Sequence, residues 1–287
     1  MKRTPKITYA SPEDPLVKSV LIQSIERLSG QRRIEKLYAN VLEEEGGDLS
    51  FWEAALGQLQ LELVYDESQL EKIPKKGPVV FIANHPYGVL DGLIICHLAA
   101  RTRGHFQILI NSALCKEERV AHYMLPIDFN ETDEALRINI ETKNRALEIL
   151  RQNGTIVIFP AGGIATSKGP FGRAVDLEWK TFAARLIQTS KATVVPLYFH
   201  GQNSRIFQIV SQFSLTLRLS LIIREVNKKI GETIQVSIGD PIPYQDIADI
   251  KKRQVLTNHL REVTYGLSFE GHDLSPRKRK INFQPFY

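Results

Sequence analysis

Apolar positions along the chain change their period near residue 75. From Pro15 to Gln60 they fall mostly at helical spacing. Leu16, Val20, Ile25 and Leu28 mark one helix. Ile34, Leu37, Tyr38, Val41 and Leu42 mark a second, which ends at Gly46-Gly47. Asp48-Leu49-Ser50 offers a cap to a third over 51–59, and residues 1 to about 15 read as a loose arm. After Pro74-Lys75-Lys76-Gly77 the pattern becomes short apolar runs rich in β-branched residues at 78–83 (PVVFIA), 106–110, 155–159 (TIVIF), 193–199 (TVVPLYF) and 234–238 (IQVSI). Such runs mark strands buried on both faces. Helical segments over 90–100, 136–152 and 177–190 alternate with them. The expected fold is α/β, a largely parallel central sheet flanked by helices, with an N-terminal helical preface. The expected divisions are an arm and helical segment at 1–74, the main domain at 75–245, and a C-terminal helix with a basic, frayed tail at 246–287. No repeat or low-complexity segment interrupts them.

Composition narrows the class only a little. With 43% hydrophobic and 24% charged residues the chain is an ordinary globular one. Two cysteines, Cys96 and Cys115, make no disulfide framework, and no Cys/His cluster has zinc spacing. The net charge of +5 suits an anionic partner without selecting one. The basic run at 277–280 has no nucleic-acid motif beside it, so no nucleic-acid partner is expected. Neither a secretory signal at the N-terminus nor an apolar run of ~18 to 20 residues is found. The nearest approach, 206–223, carries Gln, Ser, Thr and Arg218. Read as one helix, it puts Ile206, Ile209, Val210, Phe213, Leu217 and Leu221 on one side. Arg205, Arg218, Arg224, Lys228-Lys229 and the tail add positive charge. A helix packed into the core is the plainer reading; one lying on a membrane surface is the alternative.

Candidate chemistry sits where three strands end, the edge at which open α/β sheets bind ligands. The first turn runs Asn84-His85-Pro86-Tyr87-Gly88-Val89-Leu90-Asp91. A histidine past a strand end, with a carboxylate six residues on, suits a base and its orienter. A structural turn histidine with Asp91 capping the helix is the competing account. The second turn is Phe159-Pro160-Ala161-Gly162-Gly163, whose small residues let a ligand approach the backbone and offer N–H groups to an oxyanion. Nearby Ser167-Lys168-Gly169 lacks the glycine and hydroxyl positions of a phosphate-binding loop. The third turn follows Val195-Pro196 and reaches Gly201-Gln202-Asn203-Ser204. A proline inside such a run points to an irregular strand, here a pocket wall.

Taken in order, Asn84-His85 with Asp91, Phe159-Pro160-x-Gly162, and Val195-Pro196 with Gly201 resemble the glycerolphosphate and lysophospholipid acyltransferase superfamily over residues 75–245. The likeness is greatest to its bacterial hemolysin-like branch, which includes N-acyltransferases making ornithine and glycine lipids. That branch shows a proline after the histidine, five residues between His and Asp, and Phe-Pro-Ala-Gly, all present here. Asp176-Leu177-Glu178-Trp179-Lys180 agrees more weakly. Two features depart from the pattern. Gly163 stands where the branch usually has glutamate, and Leu125-Pro126-Ile127-Asp128-Phe129 lacks the arginine of the superfamily's second block.

The resemblance implies transfer of a fatty acyl group from an acyl carrier protein or CoA thioester to the hydroxyl or amine of a lysolipid, aminolipid precursor or related acceptor. His85 would be the general base and Asp91 its orienter. Asn84, Gly88, Phe159, Pro160, Ala161, Gly162, Gly163, Pro196 and Lys180 would line the substrate site. Lys180 and Arg173 suit polar or phosphate contacts, although a solvated helix face is the plainer role for both. No bound cofactor or metal is implied, the thioester being a cosubstrate. A location on the cytoplasmic face of the inner membrane follows from the same likeness. The competing functions are an acyl-thioester hydrolase on the same fold and a basic, non-enzymatic lipid-binding module.

Overall fold

Three of the buried runs lie side by side, and this arrangement builds the site. The computed structural model describes residues 8, 16–44, 50–112, 120–130, 132–169, 171–213, 215–270 and 278–282. The rest of the arm, Cys115 and Arg277 lie outside the described residues. The N-terminal preface is α1 (Leu16–Leu28), α2 (Gln31–Glu44) and α3 (Phe51–Gln58). Ser50 caps α3 in a reciprocal box with Glu53, as its position predicts. The strands are β1 (Glu62–Asp66), β2 (Val79–Ala83), β3 (Gln107–Asn111), β4 (Met124–Ile127), β5 (Thr155–Ile158), β6 (Thr193–Phe199), β7 (Thr233–Ile238) and β8 (Lys278–Asn282). Between them run α4 (Glu67–Glu71), α5 (Val89–Arg103), α6 (Asp133–Arg151), α7 (Phe182–Ser190), α8 (Arg205–Val210), α9 (Leu215–Ser220), α10 (Ile222–Lys229), α11 (Tyr244–Ile247) and α12 (Arg253–Glu270).

The strands form one sheet in the order β4-β3-β5-β2-β6-β7-β1-β8. Only the β6–β7 and β1–β8 pairs are antiparallel, so the expected largely parallel sheet is observed. Alternate residues face two cores. Phe81, Val157, Val195, Leu197 and Phe199 pack with residues of α3 and α5; Val80, Ile82, Ile156 and Val194 pack with residues of α6, α7 and α12. Burial of one such side chain contributes about 1.5–3 kcal/mol, so β2, buried at every position, is strongly held. Because β5, β2 and β6 are adjacent and parallel, their carboxyl ends emerge at one edge.

Three expectations are corrected. The predicted 1–74 segment contains β1, and the described part of the tail is β8, which pairs with β1 instead of fraying. The predicted helix at 177–190 begins only at Phe182, because residues 176–180 are tied to the first two turns, Asp176 at His85 and Lys180 at Pro160. The single helix over 206–223 is three short helices, with Ser204 capping the first and a turn at 211–213. Phe207, Ile222 and Ile223 are buried, while Ile206, Ile209 and Phe213 are exposed. Arg218 is half-buried and Arg224 pairs with Glu225, so neither is a free surface charge. No described helix is long and apolar enough to cross a membrane.

Candidate active site

His85 follows the end of β2, and its backbone is fixed from two sides. Its N–H donates to Asp176 Oδ1 at 3.0 Å, and its carbonyl accepts from Ala165 N at 2.7 Å. Phe159, just past β5, stacks on the imidazole with centroids 3.9 Å apart and planes 25° apart. The first two turns therefore meet at the histidine. Its Nδ1 lies 3.1 Å from Asp91 Oδ2, and the side chains are 16% and 0% exposed. The distance places the Asp91 carboxylate directly against the imidazole.

Asp91 also caps α5, as the structural account expects, and the same carboxylate faces the histidine. Its Oδ2 accepts from Tyr87 N at 2.7 Å and Gly88 N at 2.9 Å. The N-terminal end of α5 thus holds a carboxylate against the histidine, with the helix dipole favouring the charge. Burial raises the Asp91 carboxyl above the usual carboxylate range; His85 and the two N–H groups act against that rise. Gly88 has φ +83°, and a Cβ there would sit 2.7 Å from Ile164 Cδ1. Gly88 is needed for the turn's shape.

Around this pair the structure separates the sequence-predicted residues into different roles. Asn84 uses both ends of its amide on Phe199, donating to the carbonyl at 3.0 Å and accepting from the N–H at 2.7 Å. It joins β2 to β6, a structural role where the sequence suggested a substrate contact. Ala161 is buried, and the Pro160 carbonyl accepts from Lys180 N at 2.9 Å. The Lys180 side chain is exposed, and its backbone does the fastening. Gly162, at φ +69°, would place a Cβ 3.3 Å from the Phe129 ring, which brings the second block to the site. Gly163 is half-buried beside it.

Pro196 is placed elsewhere. Its carbonyl accepts from Gly239 N, just past the end of β7, and the N–H it lacks would point the same way. That position tolerates a proline inside a central strand. Pro196 lines a separate cavity of about 470 Å³ with Gly239, Asp240, Asp246 and His259. Arg173 donates to Tyr198 Oη at 2.9 Å.

Asp176 is the site residue whose part is not evident from sequence. Its Oδ1 takes the His85 N–H, its Oδ2 takes Trp179 Nε1 at 2.8 Å, and its own N–H donates to Tyr265 Oη at 2.9 Å. Burial, with the charge of Asp91, raises its carboxyl above the usual range. The agreement over 176–180 signalled this stretch, but its contact lies 91 residues from His85 in sequence. Arranged in this way, a partly exposed imidazole with its inner nitrogen on a buried carboxylate can accept a proton at Nε2. Among the described residues no group of His, Cys, Asp and Glu is placed to hold a metal ion.

Comparison with known proteins places the chain in a family. A family model described as acyltransferase matches residues 51–269. A lyso-glycine lipid O-acyltransferase of Phocaeicola vulgatus is 30% identical over 206 residues, covering 69% of this chain and 71% of that protein. One of the same name from Bacteroides thetaiotaomicron is 29% identical over 206 residues, covering 69% and 73%. The crystal structure of the 1-acyl-sn-glycerophosphate (LPA) acyltransferase PlsC from Thermotoga maritima superposes with a TM-score of 0.51 over 90% of each chain at 17% identity, a likeness of fold. With three quarters of its length inside the family model, the chain belongs to the acyltransferase family, and its fold is PlsC-like.

Proposed function

We propose that this acyltransferase moves a fatty acyl group from an acyl thioester, carried by CoA or acyl carrier protein, to the hydroxyl of a single-chain lipid acceptor, with His85 as general base. The observation that carries the mechanism is the His85 Nδ1–Asp91 Oδ2 pair at 3.1 Å, buried on the Asp91 side and open on the His85 side. The names of the two relatives support a lipid acceptor and favour a hydroxyl over an amine.

In this reading Nδ1 keeps its proton toward Asp91, so Nε2 is the free acceptor. Nε2 takes the acceptor's hydroxyl proton as the oxygen attacks the thioester carbonyl. The imidazolium then stands beside the Asp91 carboxylate, whose charge lowers the energy of that state. A backbone N–H is the natural donor to the oxyanion; that of Gly162 is given to Phe159 O at 3.0 Å, and the half-buried Gly163 beside it is the candidate. Collapse breaks the carbon–sulfur bond, and the imidazolium returns its proton to the departing thiolate. No side-chain nucleophile is needed, and Cys96 is a buried core residue.

Exposed Phe171, Ile206, Ile209 and Phe213 support attachment to a membrane surface, which we place at the cytoplasmic face of the inner membrane, where an amphiphilic acceptor is at hand. The test supplies purified protein with acyl-CoA or acyl carrier protein thioester, with and without single-chain lipids, and follows product by mass spectrometry. Acylated lipid with acceptor-dependent thiol release is the expected result. Acceptor-independent thiol release would replace this reading with the hydrolase.

A further inference from the structure

Arg218 is a cation without a counter-charge among the described residues, placed against the active-site turn. It lies on α9, half-buried, and its Nη2 donates to the Ile164 carbonyl at 2.5 Å, one residue past Gly163. The guanidinium lies 5.8 Å from the Phe207 ring centroid. Its Nε is buried with no hydrogen-bond partner, and no carboxylate pairs with it among the described residues. Burial lowers its pKa, and no acidic neighbour opposes the shift.

Gln208 on α8 repeats the feature. It is fully buried, its Oε1 accepts from Ser167 N at 2.9 Å, and its Nε2 has no partner among the described residues. Ile164 and Ser167 belong to one short segment in which Ala165 bonds the His85 carbonyl, and the Ile164 side chain lies against Gly88. Two unpaired donors, one of them charged, therefore flank the segment that leads from the Gly162–Gly163 turn past His85. Across that turn, the second block presents the ring of Phe129.

A buried donor without a partner costs about 1–3 kcal/mol, and a buried unpaired charge costs more. An anion removes both costs at once, and the planar fork of arginine suits a carboxylate or phosphate. We propose that Arg218 and Gln208 form the seat for the acidic head group of the acyl acceptor, holding its hydroxyl within reach of His85. This rests on the acyl-transfer reading and names its acceptor class, a single-chain lipid bearing a free carboxylate or phosphate. A glycine joined to lipid through its amine retains one such carboxylate.

Equilibrium binding without any donor tests the seat independently of turnover. The probes are a single-chain hydroxy-lipid with a glycine carboxylate, its methyl ester, and a lysophosphatidic acid, in detergent micelles. Wild type binds at least one acid about 10- to 100-fold tighter than the ester, and which acid identifies the head group. Arg218→Gln loses that preference and leaves ester binding unchanged, while Arg218→Lys keeps part of it. If Arg218→Gln weakens acid and ester equally, or wild type does not distinguish them, Arg218 is a strut for the turn and the proposal fails. Should Arg218→Gln not fold, the wild-type acid-to-ester ratio still decides. Acid-selective binding in a protein that transfers no acyl group would retain the seat and remove the transfer reading.

Discussion

Replacing Asp91 with asparagine separates the charge of the carboxylate from its geometry. Oδ2 receives the Tyr87 and Gly88 N–H groups and is also the atom facing His85 Nδ1. In Asp91→Asn those two donors hold the amide oxygen in the same place, since an NH2 there would meet two N–H groups. The Nδ1 proton still finds an oxygen, so the tautomer survives. What disappears is the negative charge beside the imidazolium. Unit charges about 4 Å apart attract by roughly 4 kcal/mol at an effective dielectric near 20, an upper limit that corresponds to about 1,000-fold. We expect kcat to fall about 100- to 1,000-fold, inside the usual range for general-base assistance. Stability moves the other way. The folded carboxyl is raised by burial, so its ionised form disfavours the fold at neutral pH, and that cost is relieved as pH falls through the raised value. Asp91→Asn therefore melts at or above the wild-type temperature near pH 7, and the wild type recovers the difference on acidification. The assays are steady-state acyl transfer at saturating acceptor and thermal melts between pH 4 and 8. A folded Asp91→Asn protein with kcat within about threefold of wild type would refute the charge argument.

Other perturbations probe different links. Asp176→Asn can accept only one of the two N–H groups that the carboxylate takes, so it should lose about 1–3 kcal/mol and melt several degrees lower, measured by calorimetry. Gly162→Val combines a positive φ with contact to Phe129 and should depress transfer at least 10-fold, whereas a Cβ at Gly169 meets nothing within 4 Å and Gly169→Val should stay near wild type. Equal mild losses in the transfer assay would make the turn a simple connector. Phe213, 84% exposed, should anchor the protein to vesicles. Phe213→Glu is expected to weaken co-sedimentation with anionic vesicles about 10-fold or more, and unchanged binding would remove the membrane proposal.

Much of the sheet was legible because strands buried on both faces must be apolar throughout. The runs at β2, β5 and β6 carry that signature, and the observed strands fall within a residue or two of the predicted bounds. β4 escaped because it is four residues long and contains Pro126. β8 escaped because its sequence, KRKIN, is too charged to read as a strand, yet charge is what an edge strand tolerates. β1 was hidden by the helical texture before it, and only its pairing with β7 and β8 declares it.

The site divides along the same line. His85 and Asp91 were readable because they are six residues apart and share one turn. Asp176 reaches His85, and Gln208 and Arg218 reach the neighbouring 164–167 segment, from distant parts of the chain, which no local spacing reports. Asn84 misled for the opposite reason. A polar residue beside the histidine suggested a ligand contact, but the bonds its amide makes in the fold bridge β2 and β6. The apolar stripe over 206–223 misled because periodicity assumes one straight helix, and the chain breaks it twice.

The measurement that bears most directly on the account is acyl transfer by folded His85→Ala protein. The imidazole is 16% exposed and gives no side-chain hydrogen bond to the core beyond its contact with Asp91, so the variant should fold. With acyl thioester and an acidic single-chain lipid, wild type should form acylated lipid and release one thiol for each product. His85→Ala should lose about 100- to 10,000-fold in rate while its melting temperature stays close to wild type. Product formation by the folded variant at the wild-type rate would contradict the central claim that His85 is the base.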